Sequence, residues 1–376
     1  DGRGAGKVKK KRRKNGMTDV LIAAACVLDL LLPKPVEVAS RAGADCESAC
    51  AEVIVRRAEV PGAPATVADE AYVLDVAPAG VTITASSEKG ERYARVTLEQ
   101  LKDLSDGKLP CCRIVDWPRM RWRGFMNDCG KNFLPMEGLY AILDVMARYK
   151  MNLFHWHLTD YQGWRLESKK YPQLQSDAAF LLRHRGRFYT QEEFRDIVAH
   201  AKKRGIDVLP EFDMPGHCCA LLAAHPELAC TCKSGSDISI GHGNLMVCAS
   251  VDGVYDIYDD VLREAAEIFP YGFIHLGGDE SAIDTNWGSC DRCKALAEKL
   301  ELNQTEQLML PFFSCILEKV RSLGKKAILW AELGQSRYSA RLLFPYPEDV
   351  VLVSWRRFMG ELCLNLAEQN GNGVIM

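Results

Sequence analysis

Several features that would assign this chain to a common class are scarce or lacking. No apolar run reaches the roughly 18 residues of a membrane-spanning helix, so none is predicted. The net charge is only −3, which gives no electrostatic reason to expect nucleic acid as a partner. A glycine-rich phosphate fingerprint is missing after the first predicted parallel strand, which disfavours a doubly wound nucleotide-binding fold. A His-Glu-x-x-His motif is also lacking.

The composition is that of a globular protein, with 48% hydrophobic and 26% charged residues. Three parts are predicted: a basic tail with a signal-like segment at 1–30, a small α/β domain at 31–118, and a larger α/β domain at 119–376. The tail carries a basic run at 7–14 and then a mostly apolar stretch at 20–32. This order resembles a secretory signal and predicts a periplasmic or secreted protein. A disordered basic tail leading into a first strand is the alternative.

The small domain shows strand patterns at 31–38 and 52–60, a β-hairpin at 71–76 and 81–85, and a helical pattern at 91–104. Prolines at 33 and 35 make the first strand an edge strand or a strand start. No titratable groups are expected to gather here in the way that an active site would require, so the domain is interpreted as structural support.

From residue 121 the pattern alternates between strands and helices, which predicts a parallel sheet and favours a (β/α)8 TIM barrel. The predicted strands are 124–128, 152–158, 207–212, 273–277, 327–330, 350–355 and 373–376. The predicted helices are 135–149, 191–204, 255–269, 304–323 (after an Asn303 cap) and 361–369. An eighth strand and its helix have no counterpart in the sequence, so the barrel is expected to be truncated in strand seven.

The stretch at 272–281 begins as an apolar strand and ends in a dense group of polar residues. Gly277 and Gly278 allow a turn or a close ligand approach, and Asp279 and Glu280 then lie where a barrel has its active site. A Gly-Gly turn followed by two solvated acids is the competing interpretation.

Other predicted strand ends also carry polar or aromatic residues. They are Asn127, Asp128, Lys131, His155, His157, Asp160, Glu211, Asp213, His217, His275, Trp330, Trp355 and Arg356. Each one alone is explained by local hydrogen bonding or core packing, but the repetition at one end of successive strands indicates a site. Trp330, Trp355, Trp164 and Trp287, with acids between them, suit a sugar site. A metal held by His155, His157, Asp160, His217 and His275 is the competing chemistry, but it leaves the tryptophans without a role, so no metal and no cofactor are expected.

The 15 cysteines include local clusters at Cys230/Cys232 and at Cys290/Cys293, with Cys248 between them. We expect Cys230, Cys232, Cys290 and Cys293 to meet. They would bind zinc if reduced or pair as disulfides if exported. Unpaired buried thiols are the remaining alternative.

Long motifs in this chain resemble the β-N-acetylhexosaminidases of glycoside hydrolase family twenty, bacterial type. His-Leu-Gly-Gly-Asp-Glu at 275–280 is similar to the family signature, and Pro-Glu-Phe-Asp-Met-Pro-Gly-His at 210–217 is similar to the third barrel strand. The segments at 123–128, 150–160 and 163–167 resemble the first two strands and their continuation. The Leu-Pro-Lys-Pro start at 32–35 and the hairpin at 70–85 resemble the domain that precedes the barrel.

The resemblance implies substrate-assisted, retaining hydrolysis of terminal β-linked GlcNAc or GalNAc from glycans. It makes Glu280 the general acid and then the base, and Asp279 the residue that orients the acetamido group. His217 and Asp160 would form a relay behind Glu280. Trp330 and Trp355 would wall the pocket, and His157 and His275 would contribute to substrate binding.

The sequence departs from the family pattern in two places. An arginine usually binds sugar hydroxyls eight residues after the position of Arg123, and Lys131 stands there. The Tyr and Asp of strand seven and the Trp and Glu of strand eight would lie beyond Met376. These departures motivate the alternative of a non-catalytic or weakly active glycan-binding barrel. The resemblance also allows a homodimer, since some relatives complete their pockets from a neighbour.

Overall fold

The structure is a computed structural model of the chain, and it describes most of the sequence after residue 26. The described residues are 27–41, 46–47, 52–105, 107–234, 238, 245–331, 346–356 and 360–376. The predicted basic tail and most of the signal-like segment lie outside them. The chain divides into two compact units, one ending at Arg123 and including Ala147–Lys150, the other holding the remaining residues.

The first unit is a five-stranded sheet covered by one long helix. Its strands are β1 (Glu37–Ser40), β2 (Cys46–Glu47), β3 (Val53–Arg57), β4 (Tyr72–Ala77), β5 (Gly80–Ala85), β6 (Lys108–Leu109) and β7 (Cys112–Asp116). The sheet order is β1-β7-β4-β5-β3, while β2 and β6 pair separately. Helix α1 (Glu88–Leu104) begins after Ser87, whose side chain accepts a hydrogen bond from the backbone N–H of Lys89. Its apolar face packs on the sheet.

The predicted hairpin is confirmed, because β4 and β5 pair antiparallel with Tyr72 opposite Ala85. The first strand begins later than predicted, at Glu37. Proline has no backbone N–H to donate, so residues 33 and 35 do not join the ladder. Strand β7, which was not predicted, lies inside the sheet between the edge strand β1 and the central strand β4.

One pair of oppositely charged side chains is buried in this unit. Lys150 Nζ lies 2.9 Å from Asp116 Oδ2 and donates to the hydroxyl of Tyr72 at 2.8 Å. Both charged side chains are more than nine-tenths buried. Burial lowers the pKa of Lys150 despite the nearby carboxylate. The unit therefore contains a buried ion pair, and its stability requires both charges to be present.

We expect Lys150→Met to reduce the free energy of unfolding by about 3–5 kcal/mol, because it leaves the Asp116 carboxylate buried without its cation. Urea unfolding measures the change. Lys89→Met is the matched control: its partner is Asp69 and both side chains are more than half exposed, so the cost should stay within about 1 kcal/mol. Equal losses in the two variants would contradict the interpretation.

The second unit is a sheet of seven parallel strands with helices between them. Its strands are β8 (Gly124–Asp128), β9 (Leu153–His157), β12 (Asp207–Glu211), β13 (Phe273–His275), β14 (Lys326–Trp330), β15 (Val351–Val353) and β16 (Gly373–Ile375). A small antiparallel pair, β10 (Thr159–Asp160) and β11 (Gly163–Trp164), follows β9. The seven strands neighbour one another in chain order, as in a TIM barrel, so the predicted fold class is confirmed.

The helices of this unit are α2 (Met136–Arg148), α3 (Gln191–Arg204), α4 (Cys219–Ala224), α5 (Asp252–Ile268), α6 (Asp291–Lys299), α7 (Met309–Ser322) and α8 (Gly360–Asn370). Helices α4 and α6 were not predicted. The predicted Asn303 cap is wrong, because Gln304 forms a capping box with Gln307 at a 3-10 turn that precedes α7. Within the described residues, no helix is long and apolar enough to cross a membrane.

Candidate active site

The carboxyl ends of five neighbouring barrel strands bring polar side chains together. Strands β8, β9, β12, β13 and β14 end at Asp128, His157, Glu211, His275 and Trp330. Parallel strands place their carboxyl ends at the same side of a barrel, so the loops that follow them share one site. The predicted clustering of polar residues at this end is present in the structure.

A chain of contacts joins the four predicted catalytic residues. His217 Nδ1 lies 3.1 Å from Asp160 Oδ1. Its other ring nitrogen, Nε2, lies 3.7 Å from Asp279 Oδ2 and 3.8 Å from Glu280 Oε2. The backbone of His217 has a φ of 53°, a left-handed conformation that is uncommon for a residue with a side chain. The structure thus brings the Asp160, His217, Asp279 and Glu280 side chains into one group.

The charges in this group stabilise one another. Burial alone would raise the pKa of Asp160, but hydrogen bonds from His157 and His217 hold it well below its usual range. Burial alone would lower the pKa of His217, but the carboxylates of Asp213, Asp160 and Asp279 raise it to about 9. His217 is therefore an imidazolium at neutral pH, lying between a buried carboxylate and the two acids of the signature motif.

The His217 imidazolium predicts a pH dependence of stability. Its pKa is about 9 in the folded protein against 6.5 for the free side chain. Its contribution is complete below about pH 6.5, declines above that value and is lost above about pH 9, a change of about 3 kcal/mol. Urea unfolding between pH 6 and pH 10 should show this decline for the wild type and a flatter profile for His217→Gln.

The control for this experiment is His200→Gln. His200 lies on α3 and pairs with Asp144 at 2.9 Å, away from the strand ends. This variant should keep the alkaline decline of the wild type. A His217→Gln profile that is as steep as the wild-type profile would contradict the assignment.

Two glycines with positive φ form the turn that orients Asp279 and Glu280. Gly277 and Gly278 have φ angles of 68° and 105°. The backbone N–H of Gly278 donates to Asp213 Oδ1 at 3.0 Å, which anchors the turn on the preceding strand loop. Beyond the turn, the Asp279 side chain is 13% exposed and that of Glu280 is 40% exposed. Burial raises the pKa of Asp279. The two adjacent acids therefore lie in different environments.

Arg356, which follows β15, contacts the more exposed of these acids. Its Nη2 donates to Glu280 Oε1 at 2.7 Å. Its guanidinium also lies 4.3 Å from the ring centroid of Trp355, within the range of a cation–π interaction. Trp355 is 49% exposed, so one predicted pocket tryptophan is open to solvent and lies against the guanidinium that contacts Glu280.

Lys131 lies at the position where the family pattern has an arginine. Its Nζ donates to Asp160 Oδ2 and, at 3.0 Å, to Asp128 Oδ2. Burial would lower the pKa of Lys131, but the two carboxylates raise it above its ordinary value. The side chain is 43% exposed, so the ammonium holds Asp160 while part of the side chain still faces solvent.

Glu211, a predicted strand-end residue to which no role was assigned, is the centre of a buried group. It is fully buried, and its Oε2 lies 2.7 Å from His155 Nε2 and 2.8 Å from His157 Nδ1. Its Oε1 lies 3.2 Å from His275 Nδ1 and accepts a hydrogen bond from Trp330 Nε1 at 2.8 Å. The Pro-Glu-Phe-Asp motif was a sequence signal for this residue, but its partners are spread over three other strands.

Glu211 and two of its histidine partners have shifted pKa values. Burial would raise the pKa of Glu211, but His275, His157 and His155 hold it well below its usual range. Burial lowers the pKa of His275 to about 4. Burial would lower the pKa of His157 too, but Glu211 and Asp160 raise it well above its ordinary value. His157 therefore links Glu211 to Asp160 with its protonated form favoured, whereas burial disfavours the protonated form of His275.

The tryptophans divide into two groups. Trp330 is 6% exposed and packs 4.5 Å from the ring of His275, so it lies deep in the site. Trp164 and Trp287 are 2% and 0% exposed, and their indole N–H groups donate to the backbone oxygens of Leu166 and Val247. The interpretation of these two as sugar-stacking residues is wrong, because their rings fill the core.

Several groups of side chains at this site are close enough to hold a metal ion. They are His155/Glu211/His275, Asp128/His157/Asp160, His157/Glu211/Asp213 and Asp213/His217/Asp279. These groups share members and already pair internally. In the second group, the Lys131 ammonium contacts both carboxylates, so a metal there would face a neighbouring positive charge.

The expected cysteine cluster forms with one different member. Cys230, Cys290 and Cys293 are buried together, but the fourth position belongs to Cys248. Cys232 is exposed, and its Sγ lies 3.4 Å from the backbone oxygen of Asn286. The isolated bridge between residues 229 and 247 is the physical reason, because it places Cys248 beside Cys230.

Both parts of the chain match one family of enzymes. Residues 27–117 match glycosyl hydrolase family 20 domain 2, and residues 120–376 match the glycosyl hydrolase family 20 catalytic domain. A beta-hexosaminidase of Akkermansia muciniphila is 34% identical over 92% of this chain and 69% of its own length. A beta-hexosaminidase of Vibrio furnissii is 36% identical over 83% of this chain but only 52% of its own length.

Solved structures give the same result. A crystal structure of a beta-N-acetylhexosaminidase superimposes with a TM-score of 0.80 at 31% identity, covering 92% of this chain and 72% of that one. The beta-N-acetylhexosaminidase of Bacteroides fragilis gives 0.78 at 30% identity, covering 92% and 74%. With matches over both units and the signature acids in place, the chain belongs to glycoside hydrolase family 20.

Proposed function

We propose that this chain is the catalytic part of an exo-acting β-N-acetylhexosaminidase that hydrolyses terminal β-linked GlcNAc or GalNAc. The observation that carries the proposal is the position of His217. One of its ring nitrogens lies 3.1 Å from Asp160, and the other lies 3.7 and 3.8 Å from Asp279 and Glu280. This arrangement places Glu280, the proposed proton donor, and the carboxylate of Asp279 side by side on one turn.

In this mechanism the substrate supplies its own nucleophile. The oxygen of the 2-acetamido group attacks the anomeric carbon while the glycosidic oxygen takes a proton from Glu280. The product of this step is an oxazolinium-like intermediate bearing positive charge. Asp279 orients the acetamido group and stabilises that charge. Water then adds to the same carbon and gives its proton to Glu280, so that the anomeric configuration is retained.

His217 and Asp160 act as positioning residues behind Glu280. Asp160 is fully buried and also contacts His157 and Lys131, so the imidazolium of His217 has a fixed partner on one side. On its other side, His217 Nε2 lies 3.7 Å from Asp279 Oδ2 and 3.8 Å from Glu280 Oε2, so the ring helps to fix the position of both signature acids.

The sugar ring is proposed to bind between aromatic and charged side chains. Trp355 presents an exposed ring against Arg356, which contacts Glu280, and Trp330 lies deeper, beside His275. Lys131 takes the place of the usual arginine and offers a single ammonium in place of a bidentate fork. A glycan-binding barrel without turnover is the less favoured function, because the curated relatives with similar sequences are beta-hexosaminidases.

The test uses the full-length protein with p-nitrophenyl β-N-acetylglucosaminide and, in parallel, the β-glucoside that lacks the acetamido group. We expect the first to be hydrolysed with the β-anomer appearing first in the NMR spectrum, and the second to be inert. First appearance of the α-anomer, or comparable rates on both substrates, would contradict substrate assistance. Binding of N-acetylglucosamine by calorimetry without any hydrolysis would favour the glycan-binding alternative.

A further inference from the structure

Four cysteines converge at one point in the loops that follow β12 and β13. Cys230, Cys248, Cys290 and Cys293 each direct a sulfur into the same space, and all four sulfurs lie within 4.8 Å of one another. Each residue is at most 1% exposed. All four are free thiols. They come from three separate stretches of chain, so no single local motif explains why they meet.

The spacing of the sulfurs is that of a tetrahedral thiolate site. Zinc binds cysteine sulfur at about 2.3 Å, and a regular tetrahedron of that size has sulfurs about 3.8 Å apart. Cys248 Sγ lies 3.9 Å from Cys290 Sγ and 3.5 Å from Cys293 Sγ. A site with four sulfur ligands and no oxygen or nitrogen ligand suits zinc or iron.

The surroundings of the sulfurs supply hydrogen bonds of the kind that support thiolates. The hydroxyl of Thr231 lies 3.3 Å from Cys290 Sγ, and that of Ser250 lies 3.2 Å from Cys248 Sγ. Cys290 is also the residue that precedes helix α6, whose first backbone N–H groups favour negative charge. Such outer contacts orient metal ligands.

We propose that Cys230, Cys248, Cys290 and Cys293 bind one zinc ion. Four protein thiolates complete the tetrahedron and leave no position for water or substrate, so the ion is structural. The spacing Cys-x-x-Cys at 290–293 puts two ligands one helical turn apart at the start of α6. Cys230 and Cys248 reach the ion through the short bridge between residues 229 and 247.

The zinc ion would hold together the two loops that carry the signature acids and their histidine. Cys230 and Cys248 follow His217 along the chain, while Cys290 and Cys293 follow Glu280. Two further contacts join the same loops: Trp287 Nε1 donates to the Val247 oxygen at 2.8 Å, and Asn286 Oδ1 accepts from the Met246 N–H at 3.2 Å. Removal of the ion should therefore weaken both folding and the alignment of His217 with Glu280.

The experiment is metal analysis of the full-length protein, purified under reducing conditions without a metal-affinity step. We expect one zinc per chain, and loss of that zinc in Cys248→Ser and Cys293→Ser. Cys232→Ser is the matched control, because Cys232 is adjacent to the cluster but exposed and outside it. It should keep the full zinc content.

A second measurement covers the case in which the cluster variants fail to fold. Wild-type protein that is stripped by a chelator and loaded with Co²⁺ should show the thiolate-to-cobalt charge-transfer band and the strong visible absorption of tetrahedral sulfur coordination. The Tm should fall when zinc is removed and return when zinc is added. Iron in place of zinc, four free thiols with no metal, or two disulfides found by mass spectrometry would each overturn the proposal.

Discussion

Replacing Glu280 by glutamine should reduce kcat/KM on a β-linked GlcNAc disaccharide by about 10²–10⁴-fold, the usual contribution of a general acid. Glutamine keeps the size of the side chain and its contact with the Arg356 guanidinium, but it carries no transferable proton. The loss should be smaller with a nitrophenyl glycoside, because nitrophenolate departs without protonation. Rates on the two substrates, measured side by side, separate loss of acid catalysis from loss of folding.

Glu227→Gln is the matched control for this substitution. Glu227 also contacts a histidine, with Oε1 3.0 Å from His225 Nδ1, but it is 65% exposed and lies outside the group of signature residues. Its activity should be unchanged on both substrates. Full activity of Glu280→Gln on the disaccharide would assign the acid to another residue. Equal losses on the disaccharide and the nitrophenyl glycoside would indicate a positioning role for Glu280.

The barrel was predictable because its strands carry a strong local signal. Buried parallel strands are short, mostly apolar runs, and β9, β12 and β13 are each followed within a few residues by a carboxylate. Strand β8 was predicted at its observed bounds, and β12 to within one residue. Helix α6 was missed because it has nine residues and no side-chain cap at Cys290. Its position depends on packing that local sequence does not encode.

The candidate site likewise contains some residues that are adjacent in the chain and others that only the fold brings together. The acids at 279–280 follow from a strand, two glycines and two carboxylates that are adjacent in the chain. The group around Glu211 depends on residues from β9, β13 and β14, so only the folded sheet brings them together. Trp287 shows an error of the opposite kind. A tryptophan near acidic residues suits a sugar-binding platform, but this ring is fully buried. Residue type alone does not separate a pocket wall from a core.

Gly277→Ala should abolish most of the activity, with a loss of at least about 10²-fold, because it displaces the turn that aims the signature acids. A Cβ atom at this position would lie 1.8 Å from Asp213 Oδ1 and 2.8 Å from Asp213 Cα. The backbone has no room to move away. The Gly277 N–H donates to His275 Nδ1 at 3.0 Å, and the Gly277 oxygen accepts from the Trp330 N–H at 3.0 Å.

Gly324→Ala separates the crowding at Asp213 from the cost of the backbone conformation. Gly324 has a φ of 69°, against 68° for Gly277, but a Cβ at Gly324 would meet no atom within 4 Å. Both variants carry the same left-handed strain, about 1–2 kcal/mol, so only their difference reports on the contact with Asp213. We expect Gly324→Ala to keep its kcat/KM and to lose a small amount of stability in urea. If the two variants lost activity equally, strain would explain the effect and the close packing of Gly277 on Asp213 would not be needed to aim Asp279 and Glu280.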